Sequence, residues 1–232
     1  MIKTVWNKKL MNESYSFTEA EKRAVYKAIA QRRDMRHFNG RALDAAILQR
    51  ILSAAHRAPS VGLMQPWRFI RITDYDIRRD LYAIVEKERG LTAEALGEQK
   101  AAFLKLKVEG VMQCSELLVA ALPDKRDQHI FGRRTMPEMD LASLSCAIQN
   151  MWLAARVEGV GMGWVSLFDP EDIKVLLRMP KHSHPVAILC IGPVDAFYEK
   201  PMLVSEGWAQ EKPLAQMLFE NKWVYGHESS DK

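Results

Sequence analysis

The stretch MDLASLSCAIQNMWLAARVEGVGMGWVSLF, residues 139–168, decides the fold because it contains a long helix followed directly by a strand. The helical part runs from about Met139 to Glu158, and its apolar residues recur every three or four positions. The residues on this apolar face are Leu141, Leu144, Ile148, Met151 and Ala155. Gly159 is typical of the position after a helix, and MGWVSLF predicts a strand. We therefore predict a central core helix that leads into a buried strand.

The rest of the pattern adds helices and strands on both sides of this segment. A capping box at Thr18 and Glu21 predicts the start of a first helix, and Asp44 is the expected N-cap of a second. Further helices are predicted near Asp76–Glu88, near Thr92–Met112 and after DPED, and further strands from Trp67, from Glu116 and in PVAILCIG. Helices outnumber strands, so the pattern fits either an α/β or an α+β fold.

Length and charge exclude several classes of protein. The 232 residues suffice for one domain, which we take as residues 1–232, with residues 1–16 as an N-terminal extension. Lys and Arg number 33 against 29 Asp and Glu, and a formal charge of +4 is too small and too dispersed for a nucleic-acid groove. The three cysteines are too widely spaced to indicate a metal site or a disulfide framework. No apolar run approaches a membrane span, so we expect a cytoplasmic protein without metal, nucleic-acid or membrane ligands.

The motif RRDMR places three arginines within the five residues Arg32 to Arg36. If the first helix continued through the motif, Arg32, Arg33 and Arg36 would converge on one spot and repel each other by roughly a few tenths of a kcal/mol per pair. An anionic ligand would relieve that repulsion. A solvated basic helix end, favourable against the helix dipole, explains the same residues, and the motif alone leaves both interpretations open.

The glycines Gly159, Gly161 and Gly163 are spaced as in a dinucleotide-binding loop, but their context is the reverse of the one that such a loop requires. A phosphate-binding loop follows a strand and opens a helix, whereas these glycines end a helix and lead into a strand. We therefore predict that they stop the helix and allow tight packing.

The loop APSVGLMQPWRF, residues 58–69, offers polar groups directly after the second helix. The Ser60 hydroxyl, the backbone amides and the Gln65 side chain can hydrogen-bond a planar polar ligand, while Pro66 and Trp67 set the turn into the strand. An ordinary helix-to-strand connection is the alternative.

Three motifs, RRDMR, HRAPSVGLMQPW and GVGMGWVSLF, occur here in the order and spacing of one enzyme family. From about Glu19 to Trp223 the chain resembles the FMN-dependent nitroreductases, and more closely their flavin-cleaving branch, the 5,6-dimethylbenzimidazole synthases. Ordinary nitroreductases usually carry serine at the place of Asp34, asparagine at Leu63 and an acidic residue at Ser166. In the flavin-cleaving branch, the aspartate and the serine are linked to catalysis.

The resemblance implies an α+β fold with three layers (α/β/α), a mainly antiparallel central sheet flanked by helices, and an intertwined homodimer. It also implies that the three arginines hold the FMN phosphate and that Asp34 and Ser166 are catalytic. Residues 90–112 would form a lid, and residues 200–232 an arm that contacts the partner subunit. The residues expected to contact FMN are Arg32, Arg33, Asp34, Met35, Arg36, Ser60, Gln65, Pro66, Val165, Ser166 and Lys212. Lys212 is included because relatives carry basic residues shortly before the C-terminal PL, where this chain has GWAQEKPL.

The function implied by the resemblance is aerobic cleavage of reduced FMN, with O2 as the second substrate. The products would be 5,6-dimethylbenzimidazole, the lower ligand of cobalamin, and erythrose 4-phosphate, with NAD(P)H acting only through a separate flavin reductase. The cations around Asp34 are expected to lower its pKa and leave a carboxylate that accepts a proton, while Ser166 hydrogen-bonds the reactive edge of the flavin. Two alternatives remain: an NAD(P)H-dependent FMN nitroreductase or quinone reductase, and a non-catalytic flavin-binding protein.

Overall fold

A four-stranded antiparallel sheet organises residues 15–223, the part of the chain that the computed structural model describes. The strands are β1 (Arg68–Ile72), β2 (Glu116–Leu122), β3 (Gly161–Val165) and β4 (His184–Gly192), in the spatial order β1-β2-β4-β3. The central strands β2 and β4 are buried along almost their whole length, because helices cover both faces of the sheet. The four strands predicted from the sequence are present, but the strand predicted over MGWVSLF ends at Val165, so residues 166–168 lie after it.

Helices pack on both faces of this sheet. Within the described residues the α-helices are α1 (Glu19–Gln31), α2 (Ala45–His56), α3 (Tyr75–Ala95), α4 (Lys100–Lys105), α5 (Met139–Val157), α6 (Pro170–Leu176) and α7 (Met202–Ser205). No helix in the described part of the chain is both long and apolar enough to cross a membrane. Residues 1–14 of the predicted extension and residues 224–232 of the predicted arm lie outside the described residues.

Alternate residues of the central strands face two separate cores. On one face, Leu118 and Leu189 pack with Ile51 of α2 and Ile148 of α5. On the other face, side chains of the same strands pack with residues of α3 and α6; this second core includes Leu81, Val85, Leu117, Val119, Ile173 and Ile188. Full burial of such a side chain stabilises the fold by roughly 1.5–3 kcal/mol. The two cores confirm the three-layer α+β architecture.

Helix α5 forms the predicted central helix with one exception. Leu144, Ile148, Met151 and Ala155 are fully buried, as the helical spacing predicts. Leu141 remains 39% exposed, so its inclusion in the buried face was wrong. Asp140 and Ser143 in the same part of α5 are buried instead, so the buried face of the helix is turned away from Leu141.

The two helices predicted near Asp76–Glu88 and Thr92–Met112 have different bounds in the structure. Helix α3 continues without interruption to Ala95, and α4 is only six residues long. Gly97 ends α3, because its φ of +55° lies in the left-handed region, which favours glycine. Leu106 is extended, with φ −70° and ψ 137°, and the segment that follows is irregular; within it the Glu109 carboxylate accepts the Val111 N–H at 2.6 Å.

Helix α1 ends earlier than a helical arrangement of the arginine motif requires. Its capping box is confirmed: the Thr18 hydroxyl accepts the Glu21 N–H at 3.3 Å, and the Glu21 carboxylate accepts the Thr18 N–H at 2.8 Å. The last helical residue is Gln31, and Arg32 is already extended, with φ −61° and ψ 134°. The three arginines therefore do not share a helical turn, and the segment from residue 32 runs toward the sheet.

Candidate active site

A cavity of about 540 Å³ lies where the end of α1, the end of β3 and the segment from residue 201 to residue 211 meet. The segment 32–36 forms one wall, and Val165 and Ser166 form the floor beside it. A volume of this size is typical of sites that enclose a small molecule. The arginine motif and the end of the predicted strand are thus brought together at one place.

The segment 32–36 reaches this wall by running along the edge of β3. Asp34 forms a parallel bridge with Met162, and the Met35 N–H donates to the Met162 carbonyl at 3.0 Å. The Trp152 indole N–H of α5 donates to the carbonyls of Met162 and Arg33 at 2.8 and 3.1 Å. One half-buried tryptophan therefore ties the segment to the strand.

Gly163 makes this close approach possible. A Cβ atom at Gly163 would lie 2.2 Å from the Met35 carbonyl oxygen and 2.5 Å from a guanidinium nitrogen of Arg36. At Gly161, a Cβ would lie 2.4 Å from the Val194 side chain. Gly159 follows α5 with φ +72°. The predicted helix stop and tight packing are confirmed.

Asp34 is held by a set of hydrogen bonds at the cavity wall. Its Oδ1 accepts the Trp164 N–H at 2.9 Å and an Arg36 nitrogen at 2.6 Å, and its Oδ2 accepts the second Arg36 nitrogen at 2.5 Å. This two-pronged pairing fixes the plane of the carboxylate. About 40% of the Asp34 side chain stays exposed, so the carboxylate remains reachable from the cavity.

The pKa of Asp34 differs from our expectation. Loss of water around the carboxylate raises the pKa above its usual value of 3.8, and this effect exceeds the opposing attraction of Arg36. The Trp164 N–H and the charge of Arg32 also lower the pKa, by less. The prediction that the surrounding cations would dominate was wrong, because it did not include the loss of solvent at the base of the cavity.

Arg32 and Arg33 occupy the same wall in different ways. The Arg32 guanidinium lies over the Trp152 ring, 4.7 Å from its centroid. The terminal nitrogens of Arg33 donate to the carbonyls of Ala30, Arg32 and Glu199 at 2.7–2.8 Å. Its Nε is buried and has no hydrogen-bond partner among the described residues. Because both guanidinium groups line the cavity, this end of it is positively charged and suited to an anion.

The opposite side of the cavity is mainly apolar. It is lined by Phe103, Leu106, Val108, Leu167, Met202, Leu203 and Trp208. The Phe103 and Trp208 rings are in contact, with centroids 6.0 Å apart, and join the region of α4 to the segment after α7. A cavity with cations at one end and aromatic and aliphatic side chains along the other fits an elongated ligand that has an anionic group and an apolar ring.

Six of the residues predicted from the sequence line this cavity: Arg32, Arg33, Asp34, Arg36, Val165 and Ser166. Met35 is fully buried behind the wall. Lys212 is not among the lining residues, whereas its neighbour Glu211 is. The sequence reasoning did not name Trp164 and Trp208 as site residues, although each lies inside a motif already linked to the site, GVGMGWVSLF and GWAQEKPL.

Ser60, Gln65 and Pro66 do not line the cavity of their own chain. They belong to a tightly held loop in which the Ser60 hydroxyl accepts the Gln65 N–H at 3.1 Å, and the Ser143 hydroxyl accepts the Val61 N–H at 3.0 Å. Leu63 and Gln65 have positive φ values of 53° and 46°, and Leu63 is 80% exposed. Such strained backbone is characteristic of functional loops.

Comparison with known proteins identifies the family of this chain. A sequence model described as the nitroreductase family matches residues 29–193. A 5,6-dimethylbenzimidazole synthase of Rhodobacter capsulatus is 35% identical over 200 residues, covering 85% of this chain and 97% of that protein. A protein of the same name from Rhodospirillum rubrum is 38% identical over 185 residues, covering 78% and 87%.

Solved structures show the same fold. The structure of oxidized iodotyrosine deiodinase bound to FMN and 3-iodo-L-tyrosine has a TM-score of 0.67 at 18% identity, covering 86% of this chain and all of that one. The NADPH:FMN oxidoreductase from Vibrio harveyi has a TM-score of 0.65 at 20% identity, covering 87% and 78%. Given the match over residues 29–193 and the two relatives above 30% identity, this chain belongs to the nitroreductase family.

Proposed function

We propose that this chain is a 5,6-dimethylbenzimidazole synthase that consumes reduced FMN and O2 and releases 5,6-dimethylbenzimidazole and erythrose 4-phosphate. The observation that carries the proposal is the Asp34 carboxylate, held in place at the wall of a cavity that also contains Ser166. The names of the two relatives at 35% and 38% identity support the same activity.

The volume of the cavity, with arginines and apolar side chains among its lining residues, supports FMN as the ligand. The phosphate would contact Arg32 and Arg33, whose guanidinium groups both line the same end of the cavity. The isoalloxazine ring would lie along the apolar side near Val165. Phosphate carries about −1.5 to −2 charges near pH 7, so two guanidinium groups at this end would bind it with charge-assisted hydrogen bonds.

Asp34 and Ser166 would act on the bound flavin in separate ways. Reduced FMN supplies the electrons for the reaction with O2. Asp34 would accept a proton from the substrate, and its raised pKa makes it a better base than an ordinary aspartate. The Ser166 hydroxyl would donate a hydrogen bond to the reactive edge of the ring. Phe103 and Trp208 would exclude water from this edge.

We also propose a homodimer in which the loop from Ser60 to Pro66 of a second copy completes the site. The loop contributes nothing to the cavity of its own chain, yet its backbone is held by hydrogen bonds to the Ser143 and Ser60 hydroxyls and it presents Leu63 to solvent. Helix α1 exposes Tyr26 (71%) beside that cavity, and the segment after Lys200 exposes further apolar side chains: Leu214, Met217, Leu218 and Trp223. Exposed apolar surface of this extent is typical of an interface, and the segment 200–223 would serve as the arm.

Three further roles complete this proposal. Residues 90–112 would act as a lid, since Phe103, Leu106 and Val108 close one side of the cavity. Lys212 would add a phosphate contact once the arm of the dimer is in place. A separate flavin reductase would supply reduced FMN at the expense of NAD(P)H, and the free cysteines fit a cytoplasmic enzyme.

The test is aerobic incubation of the purified protein with chemically reduced FMN, followed by chromatography for 5,6-dimethylbenzimidazole and erythrose 4-phosphate. Formation of both in equal amounts, with loss of flavin, supports the proposal. Oxidised FMN recovered in full, together with NAD(P)H-driven reduction of a nitroaromatic or a quinone, would favour the ordinary nitroreductase activity. Tight FMN binding with neither reaction would indicate a flavin-binding protein.

A further inference from the structure

Arg36 does not offer its guanidinium to the cavity as a free cation. Only 10% of its side-chain surface is exposed, and both terminal nitrogens bind the Asp34 carboxylate, at 2.5 and 2.6 Å. One of these nitrogens also donates to the Trp164 carbonyl at 2.7 Å. The strongest donors of Arg36 are therefore directed at the protein and away from the arginine end of the cavity.

Asp34 and Arg36 together satisfy both backbone groups of Trp164. The Asp34 carboxylate accepts the Trp164 N–H, and Arg36 donates to the Trp164 carbonyl. This closed set of hydrogen bonds attaches the carboxylate to β3 immediately before Val165 and Ser166. Because a guanidinium is planar, it can bind both carboxylate oxygens while it also reaches the carbonyl, a geometry that the point charge of a lysine does not reproduce.

We propose that Arg36 is a positioning residue, which holds the Asp34 carboxylate in a fixed orientation relative to the loop that carries Ser166, and that it is not a phosphate ligand. The proposal rests on the proposed function, because it assumes that Asp34 is the base. It departs from the role that family resemblance implied for Arg36. Moving Arg36 to a phosphate would leave the Asp34 carboxylate desolvated and without its main partner, which is unfavourable.

Comparison of FMN with riboflavin separates the two roles, because the two ligands differ only in the phosphate. Arg32→Ala should weaken binding of FMN by more than about tenfold and of riboflavin by less than about threefold, since a hydrogen bond to a charged group is lost. Arg36→Lys should change both affinities by less than about threefold. Selective loss of FMN affinity in Arg36→Lys, matching Arg32→Ala, would overturn the proposal.

The titration of Asp34 gives a second readout that needs no turnover. Carboxyl ¹³C NMR, with Asp34→Asn to identify the signal, should show Asp34 titrating at higher pH in Arg36→Met than in the parent, and at an intermediate pH in Arg36→Lys. The Arg32 charge and the Trp164 N–H still favour the carboxylate in both variants. An unchanged titration in Arg36→Lys would contradict the proposal, and this variant suffices if Arg36→Met does not fold.

Steady-state kinetics complete the test. Arg36→Lys should lower kcat for benzimidazole formation by about ten- to a hundredfold, because small misplacements of a catalytic group have effects of this size, while KM for reduced FMN changes by less than about threefold. A raised KM at unchanged kcat would overturn the proposal. If the parent forms no benzimidazole, the proposed function fails, whereas the FMN-to-riboflavin comparison and the Asp34 titration still decide the role of Arg36.

Discussion

Gly163 faces the carbonyl oxygen of Met35 so closely that a Cβ at residue 163 would lie 2.2 Å from it. The neighbour is backbone, so it cannot rotate away as the end of a flexible side chain would. The same approach allows Asp34 to bridge to Met162 and to accept the Trp164 N–H. Absence of a side chain at one position of β3 thus determines where the candidate base lies.

Gly163→Ala should therefore destabilise the fold and displace Asp34. We expect a loss of about 1–3 kcal/mol in the free energy of unfolding, the usual range for overpacking, measured by urea denaturation. Gly90→Ala is the matched control, because Gly90 lies inside α3 with nothing within 4 Å of an added Cβ. That control should be neutral or gain about 0.5–1 kcal/mol. Equal stability of Gly163→Ala and the parent would contradict the close approach.

Asp34→Asn and Ser166→Ala should separate flavin cleavage from flavin binding. Each change removes a proton acceptor or a donor and leaves the arginines in place, so FMN affinity should persist while the rate of benzimidazole formation falls by roughly two to four orders of magnitude. The variants should release oxidised FMN and peroxide instead. Asp195→Asn, at an 86% exposed side chain, is the control and should keep the parent rate. Parent-level product from Asp34→Asn would refute the role of Asp34 as base.

Arg32→Ala and Arg33→Ala should each weaken FMN binding by more than about tenfold, because a charge-assisted hydrogen bond to phosphate contributes roughly 1.5–3 kcal/mol. Fluorescence quenching of FMN gives the dissociation constant. Arg79→Ala is the control, since Arg79 lies on α3 with 58% of its side chain exposed and pairs only with neighbouring acids among the described residues. Unchanged affinity in both arginine variants would place the phosphate elsewhere.

The rate of benzimidazole formation should fall at acid pH. Burial raises the pKa of Asp34 above 3.8, so Asp34 takes up its proton at a higher pH than an exposed aspartate does. Only the deprotonated form is a base, and the rate should therefore decline as the pH drops through a value above 3.8. Single-turnover rates at saturating reduced FMN measure this fall of the rate at acid pH. The affinity for FMN, recorded at each pH, is the control. A rate that stays constant down to pH 3.8 would count against the assignment.

Sedimentation equilibrium should give a mass of about twice 26.5 kDa. Tyr26→Asp, which places a charge on the exposed apolar face of α1, should shift the protein to monomer and weaken FMN binding, because the loop of the second copy is then lost. Tyr75→Asp is the matched control at a tyrosine of similar exposure, 68% against 71%, on α3. A monomeric parent that still binds FMN tightly would argue against a site between subunits.

The sequence was most informative where local interactions determine the structure. The capping box at Thr18 and the apolar face from Leu144 to Ala155 depend on residues three or four apart, and both are confirmed. The arginine motif showed which residue types gather at the site. Its geometry was missed, because α1 ends at Gln31 and the motif is then held by Trp152, more than a hundred residues away.

The pKa of Asp34 was mispredicted for the same physical reason. Neighbouring charges are visible in the sequence, whereas loss of solvent depends on elements that only the fold brings together, such as β3 beside the segment 32–36. The predicted end of α3 near Glu88 was wrong, because Gly90 lies within the helix while Gly97 ends it. Spacing alone does not distinguish these two glycines.

In the proposed homodimer, the loop from Ser60 to Gln65 has a consequence for the kinetics of assembly. Its backbone is already fixed by the Ser143 hydroxyl and by the hydrogen bond between Ser60 and Gln65 within a single chain. A segment ordered before association loses little conformational entropy when it docks, so encounter between two copies should not wait for a slow rearrangement. Association of two subunits should then follow simple second-order kinetics, with a rate constant of about 10⁵–10⁷ M⁻¹s⁻¹.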